Sequence, residues 1–100
     1  MIRISKTFTR PNSNTAWWYE TTDGMEFAAY RRATYGSKLS DPSNAVSPNG
    51  LSWTYNITWT SEADRNAAHA DPVFTAAEAK KASYNAANGI TEASSVVVTL

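Results

Sequence analysis

From Leu51 to Thr60 apolar and polar residues alternate without a break. Leu51, Trp53, Tyr55, Ile57 and Trp59 fall on one face, and Ser52, Thr54, Asn56, Thr58 and Thr60 on the other. Period-two alternation with aromatic and β-branched residues predicts a half-buried strand. Pro48-Asn49-Gly50 just before it reads as a turn, because Asn-Gly tolerates positive φ. Lys38 to Ser47 is then the expected hairpin partner. Pro42 removes a donor there and Leu39 and Val46 are its only large apolar residues, so it belongs at a sheet edge. Met1 to Arg10 also alternates: Ile2, Ile4 and Phe8 share one face, and Arg3, Ser5, Thr7 and Thr9 the other. Pro11 and Asn12-Ser13-Asn14 close that strand. At the far end, Val96-Val97-Val98-Thr99-Leu100 is a β-rich run.

Two helical segments lie between the strands. Thr22 or Asp23 is expected to cap the first, and Gly36 to stop it as a C′ residue. The second starts after Ser61, where Ser61-Glu62-Ala63-Asp64 is close to a capping box. Asp71-Pro72 interrupts it, since proline lacks the amide donor and disfavours α at the residue before it. Asp71 would cap a new helix with Pro72 at its first position, giving a short helix, a kink and a longer helix to about Asn88. Ala76, Ala77 and Ala87 would allow close approach, with Val73, Phe74 and Tyr84 supplying bulk. The order strand, helix, strand, strand, helix, strand predicts an α+β ferredoxin-like sandwich: a four-stranded antiparallel sheet with two helices on one face. One hundred residues suit one such domain over 1–100.

Composition narrows the function classes. Nine basic and nine acidic residues cancel, so the electrostatic footprint of a nucleic-acid binder is missing and nucleic acid is not an expected partner. No cysteine is present, which excludes disulfides, thiolate catalysis and cysteine metal sites. No run approaches the ~20 apolar residues of a membrane span, and Met1-Ile-Arg-Ile-Ser-Lys does not read as a signal peptide. A cytoplasmic or virion-associated location follows as the expectation. A single histidine, His69, excludes multi-histidine metal centres. Glycines are scattered at 24, 36, 50 and 89, each suited to a turn or cap rather than a phosphate loop. No cofactor and no metal are expected.

Trp59-Thr60-Ser61-Glu62, a short helix, then Asp71-Pro72-Val73-Phe74-Thr75-Ala76-Ala77 resembles the strand-to-helix passage of antibiotic-biosynthesis-monooxygenase-like proteins. The resemblance implies a dimeric α+β barrel in which two subunits pack their open sheet faces together. It also implies kin among cofactor-independent oxygenases and haem-degrading enzymes. In that register the tryptophan and histidine of the haem-degrading members fall on Ala68 and Glu78. The histidine of quinol-oxidising members falls one position from His69, a rotation of about 100° on a helix. More faintly, Ile4-Ser5-Lys6-Thr7-Phe8-Thr9-Arg10-Pro11-Asn12 and Tyr35-Gly36 resemble small proteins of tailed bacteriophages, which implies a structural or accessory role.

Trp17-Trp18-Tyr19 is the most unusual local feature. Adjacent bulky rings cannot all face one core, so either one plugs the sandwich end with the others on the surface, or the run anchors a partner, tryptophan and tyrosine being enriched at interface hot spots. The open sheet face, carrying Arg3, Ser5, Thr7, Thr9 and the polar row of residues 52–60, is a poor apolar cavity. The expected function is therefore a non-catalytic, homo-oligomeric assembly or binding protein, with Trp17, Trp18 and Tyr19 as its interface. Its partner is itself or another protein. The alternatives are a cofactor-independent oxygenase using His69, Trp59 and Asn56, or a regulatory ligand-binding module. A closed apolar cavity near His69 would favour these alternatives.

Overall fold

A computed structural model describes residues 1–40 and 43–100. Four strands form one antiparallel sheet in the order β2-β3-β1-β4: β1 Ile2–Thr9, β2 Ser43–Val46, β3 Ser52–Trp59 and β4 Thr91–Thr99. Three helices complete the chain: α1 Thr22–Tyr35, α2 Glu62–His69 and α3 Pro72–Ala87. The order and pairing make the ferredoxin-like α+β arrangement expected from the pattern.

Local chemistry accounts for most boundaries. The β2–β3 hairpin turns through Pro48-Asn49-Gly50, with Gly50 at φ 75° and its amide donating to the Ser47 carbonyl at 2.9 Å. That φ suits glycine because it has no Cβ to clash. Helix α1 is capped one residue earlier than expected: the Thr21 hydroxyl accepts from the Gly24 amide at 3.1 Å. Gly36 does end α1, but at φ −58°, so its stop is not a left-handed one. Ser61 caps α2 through the Asp64 amide at 3.1 Å, and Asp71 caps α3 through the Val73 amide at 2.9 Å. The expected break at Asp71-Pro72 is thus a fresh start with proline in the first turn. Gly24 serves neither a turn nor a cap. It lies inside α1, where an added Cβ would stand 2.1 Å from the Trp18 carbonyl oxygen, so a side chain would force α1 off the turn beneath it.

Other boundaries differ. The expected partner strand over 38–47 is only Ser43–Val46, with Leu39 making one isolated bridge to Trp59; the expectation for Pro42 lies outside the described residues. Strand β4 begins at Thr91, five residues before the valine run, because pairing with β1 extends the ladder through Glu92 to Ser95. The register slips between Thr7 and Phe8. Val73 is 42% exposed and does not supply the bulk expected of it; Phe74 and Ala77 face inward.

The core lies between the helices and the inward faces of β1 and β3. One cluster gathers Ile2, Ile4, Ile57, Trp59, Ala68 and Phe74. A second gathers Phe8, Trp17, Trp53 and Ile90 at the opposite end of the sheet. Trp17 is only 1% exposed and Trp18 6%, which corrects the expectation of an interface anchor. The 3₁₀ turn Trp18–Glu20 resolves the crowding of three adjacent rings by sending them to different places. Trp17 enters the second cluster, Trp18 meets Phe27 at 6.0 Å, and Tyr19 lies 4.6 Å from Trp53. No helix among the described residues is long and apolar enough to cross a membrane.

Candidate functional site

Between α1, α3 and the inward face of β1 and β3 lies a cleft of about 350 Å³. Its floor follows from strand alternation: Trp53, Tyr55, Ile57 and Trp59 on β3, and Ile4 and Lys6 on β1, all project to the helix side. One wall is α3, where Phe74, Glu78 and Lys81 recur at the i, i+4, i+7 spacing of a single helix face. Helix α1 adds Met25, Ala28 and Arg31, and α2 adds Arg65 and His69, one turn apart. The cleft is therefore aromatic in its floor and charged in its walls, the mixture small-molecule sites use.

Several of these polar groups sit where packing alone would place apolar ones. The Arg31 guanidinium donates to the Tyr55 hydroxyl at 2.7 Å and stacks near the Tyr55 and Phe27 rings, at 5.6 and 5.5 Å. Burial pushes the Tyr55 phenol up to about 12, against the opposing pull of Arg31. Tyr55 thus stays protonated at neutral pH and acts as a hydrogen-bonding group, not a base. The Lys81 ammonium stands 4.7 Å from the Phe8 ring centroid and 5.9 Å from Trp53. Burial lowers its pKa below the ordinary 10.5, with Glu78 pulling the other way.

His69 lies at the opposite end, its ring 6.5 Å from Trp59 and 5.6 Å from Phe74. Burial first, then the Arg65 guanidinium, hold its pKa below the ordinary 6.5. A neutral imidazole at physiological pH accepts a proton. The Trp59 indole N–H and the Arg65 Nε are buried without an acceptor among the described residues. Both residues line the cleft.

The structure brings two of the three sequence-derived enzyme candidates together and separates the third. His69 and Trp59 share the cleft. Asn56 lies on the other sheet face, where it accepts from the Ser5 hydroxyl and pairs in register with Ser5. Of the aromatic run, Tyr19 lines the cleft beside Trp53, Trp18 reaches its margin, and Trp17 is core. The cleft lies on the helix side, not on the open sheet face, so the polarity of that open face does not bear on it. Lys6, Arg31, Tyr55, Glu78 and Lys81 are site residues beyond those the sequence pointed to. The available signal is Lys6, a charge in the apolar row Ile2, Ile4, Phe8.

A second hollow of about 450 Å³ lies between α1 and α3. Its Asp23 and Lys80 already approach each other to 3.9 Å, and none of the residues with an orphaned buried donor lines it. No group of three or more His, Asp or Glu among the described residues is arranged to hold a metal ion.

Neither a protein-family model nor a curated protein matches the chain in sequence. Solved structures match it in shape. SnoaB, a cofactor-independent oxygenase from Streptomyces nogalater, superposes with a TM-score of 0.62 at 15% identity, covering 99% of this chain and 91% of that one. A variant of the same oxygenase reaches a TM-score of 0.70 at 14% identity, with the same coverage. A Deinococcus radiodurans protein named as a candidate antibiotic biosynthesis monooxygenase gives 0.64 at 8% identity, covering 100% and 92%. At such identities the likeness is one of fold. The structural neighbours are antibiotic-biosynthesis-monooxygenase-like proteins of the ferredoxin-like fold.

Proposed function

We propose that this protein takes a planar aromatic molecule into the helix–sheet cleft and oxygenates it without a cofactor, with His69 as the base. The observation that carries this reading is the cleft itself: an aromatic floor with a neutral imidazole at one end, in a fold shared with a cofactor-independent oxygenase. His69 would remove a proton from a methylene activated by a neighbouring carbonyl or phenol. The resulting carbanion reacts with dioxygen, and loss of water leaves a carbonyl. The balance closes as R–CH₂–R plus O₂ giving R–C(=O)–R plus H₂O, dioxygen being the four-electron oxidant. Trp59 and Phe74 pack against the imidazole and orient it, while His69 as a whole is exposed to solvent.

The test is dioxygen uptake with a tricyclic anthrone, read against appearance of the quinone. Wild-type protein should consume one equivalent, and H69A should lose about 10²–10⁴-fold in rate, the usual worth of a positioned base. Tight binding with no uptake would overturn the oxygenase part and leave a ligand-binding module. Uptake unchanged in H69A would remove the histidine from the mechanism.

A second reading concerns self-association, and one observation favours it. All nine residues of β4 are exposed, and Val96, Val97, Val98 and Leu100 give that edge of the sheet an apolar surface. Uncovered strands of this kind pair with another chain. A homo-oligomer is the economical occupant. The assembly role expected of Trp17 and Trp18 has no support in their placement, since both are interior.

A further inference from the structure

The charges in the cleft specify the kind of molecule it accepts. Lys6 belongs to the inward row of β1, among Ile2, Ile4 and Phe8, which are 7%, 4% and 4% exposed. It stands in register opposite Tyr55 on β3. Lys81 comes down from α3 onto the Phe8 and Trp53 rings. Neither lysine has a hydrogen bond or ion pair among the described residues. Arg31, Arg32 and Arg65 also line the cleft, and Glu78 is the sole carboxylate on the lining. At the other end the orphaned groups, Trp59 Nε1 and Arg65 Nε, are both donors.

Cations and N–H donors on this lining outnumber its acceptors, with Glu78 the one carboxylate beside them. Lys81, half-buried against two ring faces, loses solvation that a partner of opposite charge would return. Lys6 is half-exposed where Ile2, Ile4 and Phe8 are buried, so its stem covers the strand while its ammonium reaches the cleft lining. We propose that the cleft selects an aromatic carboxylate, with Lys81 and Lys6 as the charge-selecting groups and the Trp53 and Tyr55 rings as its stacking surface. This rests on the cleft reading above and deepens it by naming the substrate class. The carboxylate would lie toward Lys81 and Lys6, leaving the ring system directed along the floor toward His69.

The experiment compares two ring-matched probes, anthracene carboxylate and anthracene methanol, by quenching of tryptophan fluorescence. The carboxylate should bind about tenfold tighter or better, the scale of one charge-assisted hydrogen bond. K81M should abolish most of that preference while retaining the neutral alcohol, and K81R should restore it. K80M, a change at an exposed neighbour, should alter nothing. Equal affinity of the two probes would overturn the charge selection while leaving the aromatic cleft standing. A full preference retained in both K81M and the K6M/K81M double variant would overturn the assignment to these lysines. Failure of both probes to bind the wild-type protein would overturn the cleft reading, and this proposal with it.

Discussion

Trp17 is a core residue by position and an oddity by chemistry. It is 1% exposed, tilted against Trp53 at 5.7 Å, with the Arg10 guanidinium 4.4 Å over its ring. Arg10 is itself fixed by donating to the Gly50 carbonyl at 2.6 Å and to the Thr15 carbonyl. One residue thus ties the end of β1, the following loop and the β2–β3 turn. Replacing Trp17 by alanine should therefore cost about 3–5 kcal/mol of folding stability, read as a lower denaturation midpoint. W17F should cost less, since it keeps one ring of the stack and removes an indole N–H that has no partner among the described residues. A W17A protein that kept wild-type stability but lost self-association would reinstate Trp17 as an interface residue. Sequence alone could not assign the three rings, because dispersing them depends on the 3₁₀ turn at Trp18. Lys6 is different: its place on the inward row is legible from period two alone.

Among the elements, α1 and α3 are joined by a carboxylate. Asp71 caps α3 with one oxygen, accepting from the Val73 amide, and with the other accepts the Tyr30 and Tyr35 hydroxyls at 2.6 and 2.7 Å. Those hydrogen bonds lower the Asp71 pKa from 3.8, and the same bond pushes the Tyr35 phenol up to about 12. The Asp71 contribution is present above pH 3.8 and is lost as pH falls through its depressed pKa. The Tyr35 contribution is present below pH 10 and is lost as pH rises through about 12. D71N keeps a competent cap, since asparagine caps nearly as well, but removes the charge. Its Tyr35 should ionise nearer 10, seen in tyrosinate absorbance, and its acid unfolding limb should flatten. Superimposable wild-type and D71N titrations would show that the tie does not operate in solution. The cap itself was legible from Asp71-Pro72, a local signal. Its second task was not, because Tyr30 and Tyr35 reach it across 41 and 36 residues of sequence. Likewise β1 and β3 follow from alternation, whereas the first half of β4 has weak β propensity and forms by pairing with β1.

At the scale of the whole molecule, the two sheet faces carry different work. The helix side holds the cleft. The open side carries cross-strand polar pairs: Arg3 with Thr58, Ser5 with Asn56, Thr7 with Thr54 and Thr9 with Thr91. Because these groups satisfy one another within the sheet, covering them costs less than burying bare hydroxyls. Val96 and Val98, opposite Ser5 and Arg3 in register, extend that face with apolar surface; Val97, opposite Ile4, lies on the helix side. A second copy laid over the open face would cover Val96 and Val98, whereas an edge-to-edge pair would form along β4 itself. A stable dimer of either kind needs roughly 800 Å² from each partner, an area that an open sheet face of this length supplies more readily than one strand edge. V96K/V98K should therefore convert a dimer to a monomer in sedimentation, while V97K should leave the mass unchanged. The reverse ranking would place the contact on the helix side of β4. A monomer at about 100 µM wild-type protein would exclude stable self-association, since it bounds the dissociation constant above that concentration. The cleft would then have to function within one chain, its lining residues all being supplied by that chain.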